Sequence, residues 1–137
     1  MLEVICGFPG VGKTQAVQMY PDRLVDLDVP GKTDYVAAIK QLIAEGKTVL
    51  VPSWQSLRDE MTEAGIHFLL IYPERKLKPV FMRRYRERGS PEKMVTVMRE
   101  KWDFFIETCQ VQKGCDHYVI NDERVFLTDI LKARRFK

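Results

Sequence analysis

Gly7-Phe8-Pro9-Gly10-Val11-Gly12-Lys13-Thr14 follows a mostly apolar start, Leu2-Glu3-Val4-Ile5-Cys6, and leads into a segment without a helix breaker until Pro21-Asp22. It matches G-x-x-x-x-G-K-[ST] in full, between an expected strand and an expected helix, the context that gives this spacing its meaning. Glycines let the backbone curl so that successive N–H groups face phosphate oxygens, and a helix N-terminus adds a favourable partial charge. Lys13 reaches the β- and γ-phosphates as a flexible point charge. Thr14 offers its hydroxyl to the Mg²⁺ that bridges them. The stretch predicts a site for ATP with magnesium, built from Pro9, Gly10, Val11, Gly12, Lys13, Thr14 and Gln15.

Outward from this loop, strand-like and helix-like segments alternate. Strands are expected at Leu2–Cys6, Leu24–Asp28, Thr48–Val51, Ile66–Tyr72 and His117–Ile120. Between them, helices are expected from Lys13 to Tyr20, from Thr33 or Asp34 to Gly46, and from Gln55 to Ala64. Another runs from near Pro79 to Gly89. A long one starts at Ser90-Pro91, with Met94, Met98, Trp102, Phe105 and Cys109 as its apolar stripe. Phe126, Ile130 and Leu131 mark a last helix with a basic end. Apolar strands separated by helices predict an α/β three-layer sandwich, a parallel sheet covered on both faces.

The chain has 137 residues, 45% of them hydrophobic and 30% charged, which fits one globular domain over residues 1–137. No apolar run reaches the roughly 18 residues of a membrane span, and the start lacks the pattern of a signal peptide. Three cysteines, at 6, 109 and 115, form neither a disulfide framework nor a zinc pattern. A cytoplasmic protein without membrane partners is expected. The net charge of +3 is uneven: residues 1–73 carry 6 basic and 9 acidic side chains, residues 74–137 carry 16 and 10. The basic half either meets an anion or is a solvated face.

Asp26 and Asp28 lie two apart at the end of the second strand and share a side of the sheet. Strand ends of this kind form the ligand crevice of parallel sheets. There Asp28 is the candidate general base for an attacking hydroxyl, and Asp26 the candidate holder of a magnesium-bound water; a pair of loop caps would look the same. The third strand ends Val51-Pro52-Ser53-Trp54, without the acidic residue that ATPases often carry there. Ser53, Trp54 and Arg58 are candidates for the acceptor side, Trp54 either stacking on a base or packing. Arg84 and Arg88 share a helix face and are candidates for neutralising the transferred phosphoryl group, or belong to a solvated face. Only about Gly89-Ser90 separates that helix from the next, too little for a lid domain. His67 and His117 receive no role.

Ile5 to Thr14, Val25-Asp26-Leu27-Asp28, Tyr72-Pro73-Glu74-Arg75 and Arg84-Tyr85-Arg86-Glu87-Arg88-Gly89 together resemble a family of small bacteriophage P-loop kinases. The resemblance covers the chain from the first strand to near Cys109. It implies a P-loop nucleoside triphosphate hydrolase/kinase fold with a five-stranded sheet in the order 2-3-1-4-5. The family resembles the 5-hydroxymethyluridine DNA kinases, which implies phosphorylation of a modified pyrimidine in DNA. By the same resemblance Lys13 and Thr14 serve the nucleotide and magnesium, Asp28 the proton, and Arg84 and Arg88 the phosphoryl group. A kinase for a free nucleoside, nucleotide or small metabolite is the nearest rival. A non-catalytic nucleotide-binding accessory protein and an ATPase complete the set of expectations.

Overall fold

The computed structural model describes residues 2–27 and 34–136. Asp28, the expected loop around Pro30 and the expected helix start at Thr33 lie outside the described residues. The elements run β1 (Val4–Gly7), α1 (Lys13–Met19), β2 (Leu24–Asp26), α2 (Tyr35–Ala44), β3 (Thr48–Pro52), α3 (Gln55–Glu63) and β4 (Leu69–Pro73). A 3₁₀ turn at Arg75–Leu77 follows, then α4 (Lys78–Glu87), α5 (Glu92–Gln110), β5 (Asp116–Ile120) and α6 (Leu127–Ala133).

The five strands form one sheet in the order β2-β3-β1-β4-β5, every neighbouring pair parallel. Val4 lies opposite Val49, and Ile5 lies between Leu50 and Leu69. β1, β3 and β4 are buried along their whole length, as strands covered on both faces must be. Right-handed crossovers put α1 on one face and α2, α3 and α5 on the other. Accordingly α1 packs with α6, and α2 with α3. β5 departs from the apolar expectation. It is the edge strand, and its Asp116, His117 and Val119 are exposed.

Among the differences from expectation, two concern β4 and α5. β4 begins at Leu69 rather than Ile66, because Ile66 closes α3: its N–H donates to the Met61 carbonyl at 2.9 Å, past Gly65 at φ +72°. That six-to-one bond with a left-handed glycine is a helix stop. On α5 the core stripe is Val95, Met98, Trp102, Ile106 and Cys109, with Met94 and Phe105 only half-buried at its margin. The set 95, 98, 102, 106, 109 holds helical phase over the whole helix, whereas 94 and 105 lie to one side of it.

With all strands parallel, the C-terminal ends of β1, β2, β3 and β4 lie along one edge of the sheet. The loop from Gly7, Asp26, the Ser53-Trp54 step and Glu74 are therefore placed on that edge. A cavity of about 260 Å³ lies at the other edge, lined by Leu2, Glu3, His67, Asp116 and Arg134 among others. It is remote from these strand ends.

Candidate functional site

The glycine-rich loop leaves β1 at Gly7 and enters α1 at Lys13, with Gly10 at φ +93° and Gly12, the residue before the helix, at φ +102°. These left-handed angles suit glycine alone among common residues. Glycine is needed there for space as well. A Cβ on Gly10 would lie 2.9 Å from Tyr85 Cε1 and 3.0 Å from Phe81 Cδ2, and one on Gly12 would lie 3.2 Å from Phe126 Cδ1.

Every carbonyl from Gly7 to Gly12 accepts a hydrogen bond from within the chain. Lys13 Nζ donates to Gly7 O at 3.1 Å, and Val11 N to Phe8 O at 3.2 Å. Tyr85 Oη donates to Pro9 O at 2.8 Å, and Arg84 Nη1 to Gly10 O at 2.8 Å. Leu127 N donates to Val11 O at 2.8 Å, and Ala16 N to Gly12 O at 3.1 Å. The N–H groups of Lys13, Thr14 and Gln15 open the helix and have no carbonyl within it to bond. No acidic side chain occupies that first turn. Acceptors are engaged and donors are presented, the polarity a polyphosphate requires. Thr14 and Gln15 are exposed, so an incoming ligand reaches them.

Asp26, half-buried, ends β2 opposite Leu50. Asp28 lies outside the described residues. Ser53 is half-buried after β3. Trp54 is 52% exposed, its ring edge-on to buried Tyr35 at 5.7 Å. Arg58 is placed differently from the expectation for an acceptor-side residue. It is 2% exposed and donates to Ser53 O, Thr108 O, Thr108 Oγ1 and Gln112 Oε1. One helical turn past Trp54, its side chain turns inward and ties α3 to α5.

Arg84 has both terminal nitrogens engaged. Nη1 bonds Gly10 O, and Nη2 bonds Glu123 O at 2.9 Å and Val125 O at 3.2 Å. Its guanidinium lies 4.5 Å from the Phe81 ring centre and 3.8 Å from that of Phe126. Desolvation lowers its pKa. Arg88 is exposed, bonded through Nε to Ser90 Oγ at 2.9 Å and 5.4 Å from the Tyr85 ring centre. Arg84 and Arg88 thus share a helix but not their surroundings.

Sequence reasoning passed over Tyr85 and the segment from Asp122 to Leu127. Tyr85 is fully buried, and burial pushes its hydroxyl above the ordinary phenol range, so it stays a donor. Its signal was present: it lies four residues after Phe81, on the inward phase of α4. In the Asp122 segment, Arg124 Nη2 pairs with Asp122 Oδ2 at 2.8 Å, and hydrogen bonds from Arg124 hold that carboxyl down at about 2. Nothing local in the sequence announces that its carbonyls meet Arg84.

His117, Cys115 and Tyr72 form a second polar group. His117 Nε2 lies 2.8 Å from Gln112 O, a pure acceptor, so Nε2 carries the proton and Nδ1 accepts from Tyr72 Oη at 3.0 Å. That tautomer cannot take a proton from Cys115, 3.6 Å from Nε2, and burial raises the Cys115 pKa. The group is not an activated thiol. Among the described residues there is no group of three or more His, Cys, Asp or Glu side chains arranged to hold a metal. Also among the described residues, no helix is long and apolar enough to cross a membrane.

No protein-family model matches this chain, and no curated protein matches it. A crystal structure of an uncharacterized protein from Eubacterium ventriosum ATCC 27560 is similar over 98% of this chain and 97% of that one, at 14% identity and a TM-score of 0.46. A likeness that slight carries no functional argument.

Proposed function

We propose that this chain is a P-loop kinase that uses ATP and magnesium to phosphorylate a hydroxyl, the 5-hydroxymethyl group of 5-hydroxymethyluracil in DNA. The observation that carries the nucleotide part is the loop in which every carbonyl from Gly7 to Gly12 is engaged within the chain. An anion arriving at α1 meets donors and Lys13, not lone pairs. Such a built anion site at the end of the central strand suits a triphosphate better than an ordinary turn.

Thr14, and Asp26 on the same sheet edge, would hold the magnesium. Few protein donors there suit an ion that dehydrates reluctantly and binds largely through phosphate and water. When bound, the ion neutralises charge on the β- and γ-phosphates. The chain's own residues do the rest. Lys13 and the first-turn N–H groups orient the triphosphate, and Asp28 accepts the proton of the acceptor hydroxyl. Arg88, exposed at the end of α4, is the clamp candidate on the transferred group.

The acceptor rests on two supports besides the resemblance of the motifs. Trp54 offers a flat, half-exposed face beside the strand ends, fitting a base taken out of its stack. The charge excess of residues 74–137 suits DNA phosphates.

The test is transfer of label from γ-labelled ATP to duplex DNA containing 5-hydroxymethyluracil, beside free nucleosides and nucleotides. Label in the DNA supports the proposal. Label confined to the monomers overturns the DNA acceptor, and label in no hydroxyl acceptor overturns the kinase. Asp28→Asn is expected to lose about 10²–10⁴ in rate, the contribution of a general base, with ATP binding kept.

A further inference from the structure

The phosphate loop rests on a layer of side chains that the motif does not contain. α4 supplies Phe81, Arg84 and Tyr85 to it, and the start of α6 supplies the Leu127 N–H, with Phe126 just before it. Three consecutive loop carbonyls, at Pro9, Gly10 and Val11, are bonded from this layer at 2.8 Å each. A carbonyl turned to one side of a peptide turns its N–H to the other, so bonds at the back of a loop decide what its front presents. The Arg84 guanidinium is the centre of the layer. One nitrogen bonds the loop, the other bonds Glu123 and Val125, and aromatic rings lie at 4.5 and 3.8 Å. A planar fork can do this where a point charge cannot.

We propose that Arg84 and Tyr85 are positioning residues of the phosphate loop: Tyr85 holds the Pro9 carbonyl so that the Gly10 N–H faces a polyphosphate, and Arg84 holds the Gly10 carbonyl, whose peptide N–H on Val11 closes the turn on Phe8 O that shapes the loop. On this assignment Arg84 contacts the protein rather than the transferred phosphoryl group, and it couples the loop to the Glu123–Val125 segment. The proposal rests on the nucleotide reading above, and it assigns to Arg84 a different task from the clamp expected of it.

Two kinds of measurement separate the alternatives. In the nucleotide-free protein, amide hydrogen exchange over residues 8–15 is expected to rise roughly tenfold to a hundredfold in Arg84→Ala, the scale of a lost charge-assisted bond. Exchange in β3 and β4 should stay unchanged. Tyr85→Phe removes one neutral bond and is expected to raise the same exchange by no more than about tenfold. It keeps the ring and serves where Arg84→Ala fails to fold. In binding measurements with magnesium, both variants are expected to weaken ADP and ATP by the same factor, since the donors serve both nucleotides. Arg84→Lys should not restore binding.

Unchanged loop exchange in Arg84→Ala and in Tyr85→Phe overturns the tether. Loss of ATP affinity with ADP spared, or recovery in Arg84→Lys, makes Arg84 a phosphoryl clamp and also overturns it. A wild-type protein that binds neither nucleotide overturns the kinase proposal and the aim toward a polyphosphate, and the exchange data still decide whether the tether exists.

Discussion

At Gly10 the backbone takes φ +93°, and an added Cβ would press on Tyr85 at 2.9 Å and Phe81 at 3.0 Å. Gly10→Ala combines left-handed strain with overpacking against two buried rings. It is expected to cost about 2–4 kcal/mol, read as a lower urea midpoint at unchanged slope. Arg58 illustrates what single residues conceal. Its place after Ser53 and Trp54 pointed to the acceptor side, yet it is buried and bonded to Ser53, Thr108 and Gln112. Arg58→Ala would remove a buried guanidinium that bonds part-buried acceptors, and is expected to cost about 1–3 kcal/mol. The expected signature is a lower melting temperature and, on the proposed function, an unchanged KM for the acceptor in the folded protein. The Lys13-Thr14 pair stands out in the sequence because the motif that marks it is made of adjacent residues. The surroundings of Arg58 and Arg84 are not legible there, because Thr108, bonded by Arg58, and Gly10, bonded by Arg84, are 50 and 74 positions away in the chain.

At the scale of elements, α5 was legible as a helix from its apolar spacing; its expected cap differs, since Pro91 stands at the N-cap without a side-chain bond and Ser90 Oγ accepts from Arg88 Nε. The contact of α5 with the site was not legible. Trp102, at the middle of that stripe, is fully buried with its ring centre 5.4 Å from Phe8 and 5.8 Å from Phe81. Its Nε1 donates to Arg75 O at 3.0 Å, between β4 and α4. Phe8 belongs to the glycine-rich loop and Phe81 to the helix whose Arg84 and Tyr85 bond that loop, so one indole packs against both. Trp102→Ala is expected to cost about 3–5 kcal/mol, measured by denaturant unfolding. Trp102→Phe should cost less, because it keeps most of the packing and loses chiefly the bond to Arg75 O. Element ends shifted where capping chemistry intervened. At Ile66 an apolar residue reads as strand from its neighbours, but its N–H bonds Met61 O and closes α3. Periodicity registers apolar character and does not register which backbone partner an N–H finds.

For the whole molecule, the core protects several groups in their neutral forms. Burial pushes the Cys6 thiol from its ordinary 9.0 up to about 12, and that of Cys109 up to about 11. Tyr85 is raised for the same reason. Since the folded values lie above the unfolded ones, the stabilisation is complete below pH 9. It is lost as pH rises through 9 toward 11 and 12, where the unfolded chain releases its protons first. The melting temperature is expected to hold level from pH 7 to near 9 and then fall, with a shallower fall in Cys6→Ala.

By itself the sequence determined that a glycine-rich loop links a strand to a helix, and that apolar strands alternate with helices around a parallel sheet. These follow from bonded neighbours and from periods of two and 3.6 residues, which a linear chain carries in full. The β2-β3-β1-β4-β5 order, expected from the resemblance, is the order the structure has. Tertiary structure alone decided which arginine faces solvent and which is spent inside the fold. It likewise decided that Tyr85 and Arg84 hold the loop's carbonyls, and that β5 is an exposed edge. The physical reason is common to all of these. A guanidinium, a phenol or a strand edge takes its role from the groups it meets, and those groups arrive from elements far along the chain only when the sheet closes around its centre.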